Sequence, residues 1–460
     1  MTSKIIYSVL FAGCIGCLLS CHKKDFLNEK PSSDLFVPST LQDFQALLDN
    51  YTVMSETPVL GELSADNFYI TSVDYWQTLS LKERNAYIWA QDIYGGIGNI
   101  GDWNLPYQQV FYANVVLEGI NKVAITSNNA QQWNTIKGWA LFVRAYAFYN
   151  LAQVFAPVYD SNTADEPNSG IPLRLNPNVD APSHRSTVNE TYTQIISDLL
   201  EAKDLLQDAV PTTLNQPSKP AALAMLARVY LSMGIYDKAL TYADNSLKLH
   251  SDLIDYNTLN AGLIIPFDKS NRETLYQSTL LSTTDVLKGF IFKDCIVDST
   301  LYRSYNLNDL RRSIFYTPPS APVNTKGSYN GTINLFSGLA TDEMYLIRAE
   351  CAVRTGNMNA GIADLNNLLR NRWKTGTYTD TTVTSVAGSL DLILTERRKE
   401  LAFRGLRWTD LRRLNKDGAN IRLKRILNGQ EYHLEPNTSL YVLPIPPDVI
   451  QLSKIPQNNR

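Results

Sequence analysis

The sequence contains one pattern typical of cofactor chemistry, and it stands in the wrong context. Gly96 to Gly101 satisfies the G-x-G-x-x-G spacing of dinucleotide-binding loops. Such a loop follows a hydrophobic strand and opens a helix within a βαβ unit. The residues before it, Trp89 to Tyr94, do not form a strand pattern. We therefore predict a glycine-rich loop and no cofactor.

Metal and hydrolase chemistry has no better support. The histidines of the sequence show no ligand spacing and no H-E-x-x-H motif, and a G-x-S-x-G nucleophile elbow is absent. A glycosidase's two carboxylates need not be close in sequence, so a glycoside-acting enzyme stays open as a minor alternative. We expect no metal and no catalytic residue.

Charge and composition indicate an ordinary folded protein with many aromatic residues. Of 460 residues, 44% are hydrophobic and the net charge is −3, so a nucleic-acid partner is not expected. The 25 tyrosines and 7 tryptophans exceed what a core of this size needs. Some of these rings are therefore expected at a binding surface.

The first twenty residues resemble an export signal. Lys4 precedes the uncharged apolar stretch Ile5 to Leu19, which is too short to span a membrane. It ends in Leu18-Leu19-Ser20-Cys21, which resembles a bacterial lipobox. We predict a signal peptide over residues 1–20, lipidation of Cys21, and a tether over residues 21–40.

Only two cysteines, Cys295 and Cys351, remain in the body after removal of this signal. Two thiols are not a disulfide framework, and the sequence leaves their pairing open. No later segment has eighteen uncharged apolar residues in a row, so we expect a soluble body held by its lipid.

Apolar residues at helical spacing predict a mostly all-α body over residues 41–460. The expected helices begin near Leu41 and cover residues 103–123, 139–155, 187–207, 220–233, 236–249, 342–355, 359–372 and 390–414, the last with a break at Gly405. Asp102 or Asn104 could cap the first long helix.

Two helix pairs hinge at Gly234 and Gly356 and have small residues where the helices cross, as in tetratricopeptide units. Residues 61–102 and 251–340 separate the periodic segments, and we predict that they are long irregular loops of the ligand face.

Charged residues crowd the last predicted helices, between Glu396 and Arg413. Acids and bases alternate there, so we predict a structural ion-pair network, with Glu400 and Arg404 paired at i,i+4. Arg144 lies in a helix that is apolar all round, and it needs a carboxylate or carbonyl partner.

The same charged segment carries a family resemblance. Residues 394–413, LTERRKELAFRGLRWTDLRR, resemble the signature E-R-R-x-E-L-x-x-E-G-x-R-W-x-D-L-x-R of the SusD/RagB family. Further landmarks of that family stand in order along the whole chain at residues 25–27, 144–151, 170–173, 221–231, 348–350, 441–446 and 457–458. Arg404 departs from the signature's usual glutamate, which puts one internal ion pair in doubt.

The resemblance implies a SusD-like fold of tetratricopeptide-like helix pairs with variable loops. It also implies a non-catalytic lipoprotein on the outer membrane, facing the cell exterior. Such proteins capture glycans and cap a SusC-like TonB-dependent transporter for import. Peptides or another nutrient in the same role are the alternative.

A glycan site needs aromatic rings for the C–H faces of sugars and polar groups for their hydroxyls. Two predicted loop stretches combine these residue types. The candidate ligand-binding residues are Asp66, Asn67, Tyr69, Tyr75, Trp76, Arg303 and Tyr305.

Overall fold

A computed structural model describes residues 38–282, 287, 294–318 and 322–460. The predicted signal peptide and Cys21 lie outside these residues. Residues 40–460 form one compact unit. Its helices are α1 (Leu41–Leu48), α2 (Tyr51–Met54), α3 (Leu60–Ser64), α4 (Val73–Thr78), α5 (Leu81–Tyr87), α6 (Gly101–Ile120), α7 (Ala130–Phe155), α8 (Val188–Leu205), α9 (Lys219–Met233), α10 (Tyr236–Leu249), α11 (Ser299–Ser304), α12 (Arg311–Ile314), α13 (Thr341–Arg354), α14 (Met358–Arg370), α15 (Val386–Glu400), α16 (Arg407–Lys416) and α17 (Pro447–Ser453).

The long helices pack side by side in a row, which confirms the mostly α-helical prediction. Helices α6 to α10 each contact the next, α10 contacts α13, and α13 contacts both α14 and α15. The hinge glycines end or follow helices in a left-handed conformation, with φ of 76° at Gly234 and 96° at Gly356. A side chain is strained at such angles, so glycine allows each pair to fold back tightly.

Helix α7 lies between α6 and α8 in this row and is buried on nearly every side. The Arg144 guanidinium donates to both carboxylate oxygens of Asp198, at 2.8 and 2.7 Å, and to the side-chain oxygen of Asn114 at 2.9 Å. The partner predicted for this arginine is therefore a carboxylate of the neighbouring helix α8.

The short strands of the described residues form four two-stranded sheets, one of which joins the two segments that interrupt the helices. The pairs are β1 (Glu56–Thr57) with β4 (Thr279–Leu280), β2 (Phe68–Ile70) with β5 (Cys295–Val297), β3 (Thr274–Tyr276) with β6 (Leu339–Ala340), and β7 (Leu423–Leu427) with β8 (Gln430–Leu434). The prediction of irregular loops at 61–102 and 251–340 is thus corrected. Their elements are too short, mostly two to seven residues, to produce a sequence periodicity.

The hairpin β7–β8 was missed, although its sequence carries a signal. Asn428 and Gly429 join the strands with φ of 47° and 78°. An Asn-Gly pair at positive φ is the preferred two-residue hairpin turn.

Asp102 caps a helix other than the predicted one. Helix α6 begins at Gly101 without a side-chain cap. The Asp102 carboxylate instead accepts from the backbone N–H groups of Val59 and Leu60, at 2.7 and 2.9 Å, at the start of α3. It also forms an ion pair with Lys82 at 3.1 Å.

The predicted ion-pair network is confirmed, with one pairing corrected. Glu400 binds Arg311 at 2.8 Å and Arg372 at 2.7 Å, and all three side chains are fully buried. Arg404 does not bind Glu400 but forms an ion pair with Asp342 of α13. Helix α15 ends at Glu400 and α16 begins at Arg407, so the helical spacing on which the predicted pair relied is not continued.

Removal of the Glu400 carboxylate should strongly destabilise the fold. The variant Glu400→Ala leaves two buried guanidinium groups without this partner, which costs about 3–5 kcal/mol for a buried pair. Urea unfolding would measure the loss. The matched control is Asp380→Ala, which breaks the exposed pair with Arg370 and should cost about 0–1 kcal/mol. Equal losses in both variants would contradict a central role for Glu400.

Candidate functional site

Strand pairing brings the two predicted ligand stretches together. Phe68 lies opposite Val297 and Ile70 opposite Cys295 in the antiparallel pair β2–β5. The pairing continues where the Asn67 carbonyl accepts from the backbone N–H of Asp298 at 2.8 Å. Helix α11, which carries Arg303, begins at the next residue. The candidates from both stretches therefore belong to one region of the fold.

The Asp66 carboxylate is held by two arginines. Arg407 donates to its two oxygens at 2.7 and 2.9 Å, and Arg398 approaches at 3.1 Å. Although burial opposes ionisation, these cations hold the pKa of Asp66 well below its usual range. Arg398 also reaches Asp298 at 3.3 Å, so it joins the two stretches.

Asn67 is fully buried. Its side-chain amide donates to the Glu62 carboxylate at 2.8 Å. Glu62 also accepts from the backbone N–H of Gly405 at 3.0 Å. Burial raises the pKa of Glu62 to about 7, against the opposing effect of these hydrogen bonds.

Tyr305 is likewise an interior residue, only 2% exposed. Its hydroxyl donates to the backbone carbonyl of Lys399 at 2.7 Å and lies 3.0 Å from the Tyr316 hydroxyl. The structure therefore places Asn67 and Tyr305 in the interior, beneath the surface, and holds the partly exposed Asp66 carboxylate in ion pairs with two arginines.

The other candidates reach the surface. Tyr69 is partly exposed between two buried strand neighbours. Tyr75 and Trp76 are partly exposed on α4, which Ser72 caps by accepting from the Tyr75 N–H at 3.1 Å. We call Tyr69, Tyr75 and Trp76 the aromatic patch. The Trp76 indole donates to the Arg84 carbonyl at 3.3 Å, which fixes its ring, and Arg303 is exposed on α11.

Sequence reasoning missed two clefts that contain none of these candidates. One, of about 400 Å³, is lined by Trp103, Tyr107 and Phe111 of α6 together with residues 172–183. Their spacing of four places the three rings along one face of the helix, so the signal was present in the sequence. The other cleft, of about 690 Å³, is polar, and its residues come from four distant segments that no local pattern connects.

Cys295 and Cys351 are free and buried. Burial raises the pKa of both thiols well above the ordinary value, so neither is a reactive thiolate. Within the described ranges, no group of three potential metal ligands is found. No helix there is long and apolar enough to cross a membrane.

Comparison with known proteins gives a consistent result for both the first and the last part of the chain. A family model described as "Starch-binding associating with outer membrane" matches residues 25–231, and one described as "SusD family" matches residues 320–459. The SusD-like protein P2 of Formosa agariphila is 25% identical, and the match covers 78% of this chain and 79% of that protein.

Solved structures share the fold. A SusD superfamily protein from Bacteroides thetaiotaomicron superposes with a TM-score of 0.73 at 22% identity, covering 92% of this chain and 100% of the other. A SusD-like carbohydrate binding protein from Bacteroides vulgatus gives 0.67 at 20% identity, with 90% and 97% covered.

Glu62 should make the stability of the protein depend on pH. Its pKa is about 7 in the folded protein and 4.5 in its ordinary state, so folding favours the protonated form. This stabilisation is complete below about pH 4.5 and is lost as the pH rises through 7, by an amount on the order of 3 kcal/mol.

The variant Glu62→Gln keeps a neutral side chain, so it should lose less stability than the wild type between pH 4.5 and 7.5. Urea unfolding at both pH values measures the difference. Glu118→Gln, at an exposed site, is the control and should follow the wild type. Parallel losses in Glu62→Gln and the wild type would contradict the prediction.

Proposed function

Because the chain belongs to the SusD/RagB family, we propose that it is a non-catalytic cell-surface lipoprotein that captures glycans. It would present them to a SusC-like TonB-dependent transporter for import. One of the matching family models is described by starch binding at the outer membrane, which supports both the ligand class and the location.

The aromatic patch is the structural feature that carries this proposal. Its rings are partly exposed, and Tyr75 and Trp76 pack from below against the main hydrophobic core. Such rings offer a flat apolar face at low entropic cost, with polar groups at their edges. A sugar ring could stack on them, while the Arg303 guanidinium, exposed on α11, could donate to hydroxyl oxygens of the same ligand.

The support beneath the patch is rigid. Asp66 precedes strand β2 and is fixed to Arg407 and Arg398, and the Asn67 side chain is fixed to Glu62. A surface that is already ordered before binding loses less conformational freedom when the ligand arrives. In this proposal Asp66 and Asn67 therefore act by positioning the aromatic patch.

The state of the Asp66 carboxylate supports a binding role without hydrolysis. Glycoside hydrolysis uses one carboxyl group as a proton donor and another as a nucleophile or base. Asp66 is bound by both Arg398 and Arg407. Arginine ion pairs keep a carboxylate ionised and occupy the oxygen atoms that such chemistry would need.

Loss of the Trp76 ring should weaken glycan binding about tenfold or more, since a buried aromatic contact at a binding surface is often worth more than 1 kcal/mol. The body lacking residues 1–21 would be tested against plant, host and microbial glycans by affinity electrophoresis and calorimetry. Trp76→Ala and Tyr75→Ala are the test variants.

Phe111→Ala is the matched control, because Phe111 is an exposed aromatic residue in the α6 cleft. Loss of binding in Phe111→Ala alone would move the site to that cleft. Release of sugar products by the purified protein would overturn the non-catalytic assignment. Binding of peptides but of no glycan would replace the ligand class by the stated alternative.

The lipid anchor and the transporter partner are tested on cells. Cys21 should carry the lipid, so Cys21→Ala should release the protein from the membrane fraction. The wild type should be cut by protease added to intact cells and should co-purify with a TonB-dependent transporter from native membranes. Protection from protease on intact cells would contradict the outward orientation.

A further inference from the structure

The polar cleft of about 690 Å³ lies outside the candidate glycan face. Its walls are the connection after α7, the end of α16, the segment around the turn Ser439–Tyr441, and residues 457–459. Its size falls within the range of roughly 300–1,000 Å³ typical of small-ligand sites.

Arg412 of α16 lines this cleft and is only 4% exposed. It donates to the backbone carbonyls of Gln153 and Ala156 at the end of α7. Carbonyls at a helix end carry only partial negative charge. No carboxylate of the described residues forms an ion pair with this guanidinium, and burial lowers its pKa to about 10.

Arg185 lines the same cleft. Like Arg412, it is buried and has no carboxylate partner among the described residues. It is 8% exposed and donates to the carbonyls of Gly170 at 2.9 Å and of Ser169 and Pro456 at 3.1 Å. Its pKa is also lowered to about 10 by burial. Lys416, at the end of α16, donates to the Tyr159 carbonyl at 2.7 Å.

Elsewhere in the described chain, each buried arginine has a carboxylate or an aromatic ring as a partner for its charge. Those that contact a carboxylate are Arg144, Arg228, Arg311, Arg372, Arg397, Arg404 and Arg413. Arg425 has no carboxylate but stacks over the rings of Tyr87 and Trp89, at 3.8 and 4.8 Å. Arg185 and Arg412 have neither kind of partner, and both line one open cleft.

A buried cation without an anion is costly, so the geometry points to a ligand that supplies the anion. We propose that this cleft is a second binding site, distinct from the aromatic patch, for a short oligosaccharide that bears carboxylate groups. Guanidinium groups match the planar carboxylate with paired hydrogen bonds.

The rest of the lining favours a sugar over a simple anion. Hydroxyl and amide side chains surround the arginines, and the Tyr441 ring forms part of the wall. Among them are Thr163, Asn168, Ser439 and Asn459. Asp160 and Glu166 also line the cleft, so a polyanion of high charge density would be repelled there.

Calorimetry on the mature protein in detergent tests the proposal with trigalacturonate and its neutral methyl ester as probes. We expect the acid to bind at least tenfold more tightly than the ester. Arg412→Gln should weaken this binding at least tenfold. Ser439→Trp should do the same by filling the cleft from an exposed position, without changing either buried arginine.

Two controls separate the site from general effects. Arg425→Gln also removes a buried guanidinium without a carboxylate partner, but away from the cleft, and should change binding less than twofold. In a Trp76→Ala background, where the aromatic patch is impaired, Arg412→Gln should still weaken trigalacturonate binding at least tenfold, so failure of the glycan-face proposal stays distinguishable. Equal binding of acid and ester, no binding of the acid, or unchanged binding in both Arg412→Gln and Ser439→Trp would overturn the proposal.

Discussion

Glu400 lies where the helical row and its long insertion meet, and its two ion pairs join them. Arg311 comes from the inserted segment, while Arg372 follows α14. Arg311 also binds Asp309 and Glu396, and Arg372 also binds Glu273. Because these side chains are excluded from water, each depends on the others for its hydrogen bonds. The insertion can therefore adopt only an arrangement that completes the cluster.

A short chain of contacts connects the aromatic patch to this ion-pair cluster and fixes its position. Strand β5 belongs to the insertion and pairs with β2, which carries Tyr69. Arg398, on the same helix as Glu400, binds carboxylates at the ends of both strands. Helix α15 therefore holds the insertion through Glu400, which binds Arg311, and the patch through Arg398, which binds Asp66.

The sequence was sufficient to predict the long helices, the two glycine hinges and the family, because these depend on local periodicity and ordered motifs. It was less informative for the site. Asp66 and Tyr305 are residue types that often bind ligands. Their partners in the folded protein, Arg407 and the Lys399 carbonyl, are distant in sequence. The same limit applies to Arg185 and Arg412, since a missing carboxylate partner becomes visible only when the whole chain is folded.

Arg404 stands where the family signature usually has a glutamate, and the residues around it accommodate its charge. Its guanidinium stacks over the rings of Tyr329 and Phe336, at 4.3 and 4.9 Å, and binds Asp342. The arginine has thus acquired both an aromatic and an anionic partner in the interior.

The described body contains two buried free thiols and no crosslink between them. Its folded state therefore needs no oxidant to form and has no bond that a reductant could cut. Protein produced in a reducing cytosol should reach the same conformation as protein exported to an oxidising compartment.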